Sequence, residues 1–390
     1  MKVLGIVAEY NPFHNGHKYH IEQSKKELDC DYTIAIMSGN YVQRGEPAIL
    51  DKWTRAKVAI ENGVDLVIEL PLIYSLSSAE FFSNGAITTL DATNVVTNLS
   101  FGSEEGSLDN LNTIADVLIT EPKLYLELLK DNLSKGISYA AARKNSIEGY
   151  LGAAVDCIDK SNNILAIEYL KSIKKIKSNI SPHTIKRIGS NYNDMESIDN
   201  YSSATALRNS IDNLDTLKSN LPTSSYEELT SNRSNFVYSE DFFQYIKVLV
   251  QRTSVEELKL FSDVSEGLEN RIIKVFEDAK SFEEAVERIS TKRYPATRIQ
   301  RILFHLLLNI KKSDIGKKPE YIRMLGFNNK GRELINLMKE KSSLPVIQNP
   351  QDLKVPSTVM SYDVRGTNIY NTISSCRINA DYYSSPVILP

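Results

Sequence analysis

An apolar run, Val3-Leu4-Gly5-Ile6-Val7-Ala8, breaks at Glu9-Tyr10-Asn11-Pro12 and passes directly into a helix opening at Gly16. Continuous apolar character, a turn, and then His20, Ile21, Ser24 and Leu28 at helical spacing commit this end of the chain to a strand-turn-helix unit. The junction reads Asn11-Pro12-Phe13-His14-Asn15-Gly16-His17, with two histidines where helix amides are unpaired and carry partial positive charge. A phosphate chain fits over Gly16 and His17, and His14 and His17 supply donors to the same anion. In an adenylyl transfer, charge builds on the bridging oxygen and the leaving pyrophosphate. Fixed donors aimed there stabilise the transition state, and neither imidazole needs to act as a base. A metal site explains the pair less well, because His20 adds at most a third imidazole and no zinc-spaced cysteine accompanies it.

The same alternation continues downstream. Tyr32 to Met37 reads as a second strand, Lys52 to Asn62 as a helix, and Asp65 to Leu70 as a third strand stopped by Pro71. A helix from Ser78 to Asp91 then precedes a strand from Val95 to Phe101. Strands and helices in this order predict right-handed crossovers and a parallel sheet, with ligands beyond the strand C-terminal ends. Leu108 to Tyr150 reads as helical, Asn162 and Asn163 open a helix running to Ile173, and Thr184 to Ile188 is the last expected β element. Ser202, Ser203 and Thr205 then precede Arg208 in a segment whose hydroxyls can cap a helix or bind phosphate. Ser219 to Asn235, rich in serine, asparagine and threonine, reads as the linker. Helical spacing resumes at Glu240, and the stretch from Pro345 is expected to be mostly irregular.

A chain of 390 residues is long for one core, so the expected division is 1–225, 236–342 and an irregular tail over 343–390. No apolar run approaches a membrane span, and no secretory leader precedes the first strand. Cys30, Cys157 and Cys376 are widely separated and odd in number, which suits reduced thiols in a cytoplasm. No membrane association and no protein partner is implied. A net charge of −3 does not advertise a polyanion ligand, but its distribution does. Lys292, Arg293, Arg298, Arg301, Arg323, Lys330 and Arg332 fall in one cationic stretch with Tyr294, Tyr321 and Phe327 among them. Cations interleaved with aromatics predict contact with RNA, phosphates on the former and unpaired bases on the latter. Arg44 and Lys52 read equally as surface charges or as holders of a small anion or an RNA end, and Asp51 reads as the cap of the helix it precedes.

Beyond the histidine loop, SGNYVQRGEPAILDKWTRAKVAIENGVDLVIELP, SAEFFSNGAITTL, LSFGSE, TKRYPATRIQRILFHLLL and YIRMLGFNNKGRELI resemble the bacterial tRNA(Met) cytidine acetate ligase family, within the HxGH nucleotidylyltransferase superfamily. The resemblance covers most of the chain. It implies an α/β fold, with a Rossmann-like parallel-sheet nucleotidylyltransferase domain followed by a mainly α-helical, RNA-binding C-terminal domain. It also implies an ATP-dependent ligase: acetate attacks ATP, acetyl adenylate forms, and the acetyl group passes to the wobble cytidine of elongator tRNA(Met), giving N4-acetylcytidine. ATP would enter as substrate with Mg2+ as its counter-ion. By resemblance, the ATP loop is Val7, Ala8, Glu9, Tyr10, Asn11, Pro12, Phe13, His14, Asn15, Gly16, His17, Lys18, Tyr19 and His20, with His14 and His17 catalytic. Gly102, Asn162 (with Asn163 as fallback) and Arg187 match further nucleotide contacts, and Ser202, Ser203, Thr205 and Arg208 match a second phosphate element. Ser161, Ala166 and Asn193 depart from the family pattern at positions where proline, glycine and histidine are expected. Two other functions fit parts of the sequence: an adenylyltransferase acting on a small phosphate acceptor, and an RNA-binding protein with a vestigial nucleotide fold.

Overall fold

The N-terminal apolar run forms β1 (Val3–Ala8), in which Val3 faces one apolar cluster while Leu4, Ile6 and Ala8 face another. A strand covered on both sides must be apolar at nearly every position, which is why the run does not alternate. A computed structural model describes residues 1–155, 157–187, 204–265 and 267–390. In chain order β1 is followed by β2 (Tyr32–Ser38), the hairpin β3 (Tyr41–Val42) and β4 (Glu46–Pro47), then β5 (Leu66–Leu70), β6 (Asn98–Ser103) and β7 (Ser181–Lys186). The C-terminal half adds β8 (Ile322–Phe327), β9 (Val346–Ile347) and β10 (Val387–Ile388).

The main sheet runs β10-β8-β5-β2-β1-β6-β7, with β9 on β8. β1 pairs in parallel with β2, from Val3↔Tyr32 to Ala8↔Met37, and with β6, while β2–β5 and β6–β7 are also parallel. Their C-terminal ends therefore share one edge, and the loops there face a common space. β8 is antiparallel to β5. On one face lie α1 (Asn15–Leu28) and α2 (Lys52–Glu61), contributing Ile21, Ala56, Val58 and Ile60 to the core. Helices Ala79–Ala92 and Ser161–Ile176 cover the other face with Phe82, Ile87, Leu90, Ile167 and Leu170. Phe242, Ile246, Ile272, Phe276, Ile302 and Leu303, from the helices of the C-terminal half, belong to that same cluster.

Four segments differ from the sequence-based expectation. β6 extends to Ser103 because its pairing with β7 continues to Ser103↔Lys186. β7 begins at Ser181, ahead of the expected Thr184, since an edge strand with only Ile185 buried has little apolar pattern to mark its start. Ser219 to Asn235 is not a bare linker: it contains the helix Thr223–Ser231, whose Leu229 is fully buried against Ile49, Leu50 and Leu207. Its apolar residues are too sparse in a polar background to show helical spacing. The stretch from Pro345 is more ordered than expected, with helix Thr358–Tyr370 and two short strands that hydrogen-bond to an existing edge. Two-residue strands carry no periodicity, so only the completed sheet specifies them.

Candidate active site

α1 starts on His14, whose extended backbone (φ −135°, ψ 171°) makes it the N-cap. The His14 N–H donates to His17 Nδ1 at 3.2 Å, so the His17 ring carries its proton on Nε2 and presents a neutral N–H. The two rings stack with centroids 3.7 Å apart. Tyr10 meets the His17 ring edge-on at 5.0 Å and Phe13 lies 5.5 Å away, so the imidazole is held against aromatic walls. His14 Nδ1 is buried without a hydrogen-bond partner among the described residues, which leaves it available to a ligand. Burial pushes the His14 pKa down to about 3, and the Arg187 charge adds to the effect. Burial, then His14 and Arg187, push His17 well below the usual histidine range, and burial with Arg187 takes His20 down to about 4. At neutral pH all three are uncharged, and the positive field comes from Arg187 and the helix N-terminus.

The rest of the loop divides into scaffold and rim. Val7 and Ala8 lie within β1, paired with Ile36 and Met37. Glu9 accepts the Gln43 N–H at 2.7 Å, and burial raises its carboxyl. Tyr10, Asn11, Pro12 and Phe13 are buried, with Asn11 Oδ1 accepting the Ile49 N–H at 2.9 Å. Asn15 donates to the Ser219 carbonyl at 2.8 Å. A Cβ on Gly16 would come within 2.9 Å of the His14 ring, so the stacked histidines require a residue without a side chain there. Lys18 is exposed, Tyr19 and His20 are half-buried, and His20 Nε2 lies 3.0 Å from Ser100 Oγ.

Sequence reasoning missed Arg55. This α2 side chain is 2% exposed and donates to the carbonyls of Glu9 at 2.6 Å, Ser38 at 3.1 Å and Leu50 at 3.0 Å, and also to that of Gly39. It fastens together the loops that follow β1 and β2. Its only sequence signal is membership of the stretch SGNYVQRGEPAILDKWTRAKVAIENGVDLVIELP, where an arginine resembles any other surface cation.

Gly102, Asn162 and Arg187 meet within electrostatic reach of the histidines. Arg187 follows β7 and lies beside Gly102, where a Cβ would stand 3.2 Å from Arg187 Cγ. Arg187 Nη1 donates to Asn162 Oδ1 at 3.1 Å. Asn163, the fallback, turns away from Arg187: its Oδ1 accepts the N–H groups of Glu104 and Glu105, and its Nδ2 donates to the Cys157 carbonyl at 2.9 Å. Arg208 donates to the Asn11 carbonyl at 2.8 Å and to Glu46 at 2.6 Å, with Thr205 Oγ1 at 3.5 Å, so this element touches the histidine loop from behind. Ser202 and Ser203 lie outside the described residues.

The cationic stretch divides three ways. Lys292 and Arg293 are exposed, and Arg298 is half-buried with its guanidinium 4.9 Å over the Tyr294 ring and bonded to the Asp263 carbonyl. Lys292 and Arg293 precede helix Ala296–Leu308, which carries Arg298 and meets the β3–β4 hairpin through Arg301, donor to the Gln43 carbonyl at 3.3 Å, on the histidine edge of the sheet. Lys330, with Arg332 on the same helix Asn329–Lys341, lies at the opposite edge, where its ammonium reaches the Asp31 carbonyl ahead of β2.

Arg323 and Arg301 correct the expectation of RNA contact. Arg323 is 1% exposed and pairs with Glu69 and Asp381, and Arg301 is 8% exposed, so neither can lie against RNA in this fold. Tyr321 and Phe327 are likewise buried and present no ring to a base. Lys52 is wholly buried between Glu69 at 2.7 Å and Asp381 at 2.6 Å, and so neither holds a small anion nor sits on the surface. Asp51 is the cap expected of it, accepting from the Trp53 and Thr54 N–H groups.

Residues 1–384 match the family described as HIGH Nucleotidyl Transferase. A tRNA(Met) cytidine acetate ligase of Clostridium tetani is 43% identical over 408 aligned residues, covering 100% of both chains. One from Acetivibrio thermocellus is 44% identical over 370 residues, covering 90% of this chain and 89% of the relative. Among solved structures, Thermotoga maritima TmcAL bound with alpha-thio ATP matches with a TM-score of 0.91 at 36% identity, covering 100% of both chains. The apo form of the same protein gives 0.93.

Proposed function

The chain belongs to the HIGH Nucleotidyl Transferase family, among the tRNA(Met) cytidine acetate ligases, and from that premise we propose that it activates acetate with ATP and acetylates the wobble cytidine of elongator tRNA(Met). In the first step an acetate oxygen bonds to the α-phosphorus of ATP and the bond to the bridging oxygen breaks, releasing pyrophosphate. Acetate is already an anion at neutral pH, so this step needs alignment and charge stabilisation rather than a general base. Neutral N–H donors on a helix N-terminus suit that task. In the second step the N4 amine attacks the acetyl carbonyl, AMP leaves, a proton is released, and N4-acetylcytidine remains.

The observation that carries this reading is the stacked His14–His17 pair at the α1 N-terminus, whose protonation is depressed by burial first and then by the nearby Arg187. In this reading His14 and His17 hold the phosphates, Arg187 supplies the fixed charge, and Gly102 and Asn162 shape the nucleotide side. Thr205 and Arg208 belong to the second phosphate element, Arg208 through donors not spent on Glu46. Among the described residues no three His, Cys, Asp or Glu side chains converge as metal ligands, and Mg2+ would ride on the triphosphate. Lys292, Arg293 and Arg298 form the tRNA contact on the active-site edge, and Lys330 and Arg332 a separate exposed cationic site. The odd number and wide separation of Cys30, Cys157 and Cys376, together with the tRNA substrate, favour a cytoplasmic setting. No helix among the described residues is long and apolar enough to cross a membrane.

Incubation with ATP and labelled acetate, first without and then with total tRNA, tests the reading. Acetyl adenylate in the first reaction and acid-stable label on tRNA in the second are expected. AMP joined to a mononucleotide acceptor, with acetate ignored, would establish the small-molecule adenylyltransferase instead.

A further inference from the structure

Helix Ser161–Ile176 begins at Lys160, which provides no side-chain cap, yet its first amides are not left open. Glu104, from the loop after β6, reaches across to them. Its Oε1 accepts from Asn162 N at 3.3 Å and from Asn162 Nδ2 at 2.7 Å, and its Oε2 accepts from Asn163 N at 2.9 Å. A carboxylate at a helix N-terminus is favourable both as a hydrogen-bond acceptor and through the helix dipole.

The consequence for the site lies in the Asn162 amide. Because Glu104 takes the NH2 end, the oxygen end must point the other way, and it accepts from Arg187 Nη1 at 3.1 Å. The reverse orientation would set NH2 against guanidinium, donor against donor. Arg187 is also fixed along its length: its N–H donates to the Ser103 carbonyl at 3.0 Å, and its stem packs on Gly102. A direct Glu–Arg pair would occupy the guanidinium and cancel its charge. An amide placed between them orients Arg187 with a neutral acceptor and leaves its other N–H groups for an anion.

We propose that Glu104 is a positioning residue for the nucleotide site, orienting Arg187 through the Asn162 amide. This rests on the assignment of Arg187 as an ATP contact. Two measurements test it: ATP-analogue affinity by calorimetry, without acetate or tRNA, and acetate-dependent exchange of pyrophosphate into ATP. Because the first needs no acetate chemistry, it reports on Glu104 even if the ligase assignment fails, and that failure would show separately as absent exchange in the unaltered protein.

Glu104→Ala is expected to weaken both readouts about 10-fold, and Glu104→Gln, which keeps one acceptor oxygen, to fall between it and the unaltered protein. Added to Arg187→Ala, Glu104→Ala should change either readout by less than about two-fold, since coupled residues are not additive. Equal fold losses in both backgrounds would overturn the proposal, because a helix cap or a direct ligand contact acts whether or not Arg187 is present. If Glu104→Ala does not fold, Glu104→Gln, which weakens the same relay without emptying the helix cap, must show the same dependence on Arg187. Independence from Arg187 there would equally sink the idea.

Discussion

At the residue scale the histidine pair was legible, but its protonation was not. The spacing of His14 and His17 marks a strand-to-helix junction, whereas the tautomer of His17 follows from the His14 N–H and the neutral state from burial. His17→Ala is expected to slow acetyl adenylate formation by two to three orders of magnitude, since a lost transition-state donor costs roughly 3 kcal/mol. A pyrophosphate-exchange rate within a few-fold of the unaltered protein would contradict that role. Buried neutral histidines also shape acid stability. His305, whose Nε2 lies 2.7 Å from the Leu76 carbonyl, is pushed by burial from 6.5 down to about 4. Between those values the unfolded chain binds the proton and the folded chain does not, so this contribution is present near neutrality and is lost as pH falls from about 6.5 toward 4. His305→Gln can keep a donor to Leu76 and should lose less stability than the unaltered protein between pH 7 and pH 5, read from urea midpoints. Identical pH slopes would remove His305 from that account.

At the scale of elements, long periodic segments were readable and marginal ones were not. α2, with its Asp51 cap, announced itself through spacing and a capping residue, whereas β7 and helix Thr223–Ser231 are defined by what they pack on. The cationic stretch shows the same limit. Composition makes Lys292, Arg293, Arg301 and Arg323 equivalent, and only the placement of helix Ala296–Leu308 and β8 separates exposed cations from buried ones. Lys292→Glu with Arg293→Glu is therefore expected to weaken tRNA binding and reduce the slope of log affinity against log salt by about 1.5 to 2, while acetyl adenylate formation without tRNA changes little. An unchanged salt slope would place the RNA elsewhere. Arg301→Glu should instead lower the melting temperature, because it puts a carboxylate in the buried site where the Arg301 Nε now lies 4.0 Å from the Asp263 carboxylate.

At the scale of the whole molecule, a buried charge cluster ties the C-terminal segment to the central sheet. Lys52 and Arg323 share Glu69 and Asp381, with separations between 2.6 and 3.0 Å. Burial alone would raise the Asp381 carboxyl, yet Lys52 and then Arg323 draw it down to about 2. Removing one member strands the charge of the others. Asp381→Ala is accordingly expected to cost about 3 to 5 kcal/mol in denaturant unfolding, far more than an exposed acidic residue would. A midpoint indistinguishable from the unaltered protein would show that the cluster does not secure the fold.

The amino-acid order alone determined the strand-turn-helix start, the parallel α/β plan and the placing of His14 and His17 at the helix N-terminus, because these depend on local spacing and on motifs whose members are near neighbours. Tertiary structure decided which cations are available, why Asn162 rather than Asn163 faces Arg187, and which groups Arg55 and Glu104 hydrogen-bond. Those outcomes depend on groups brought together from distant parts of the chain, as with Lys52 and Asp381, 329 positions apart. Burial and hydrogen-bond direction exist only after such groups meet, so linear spacing carries no record of them.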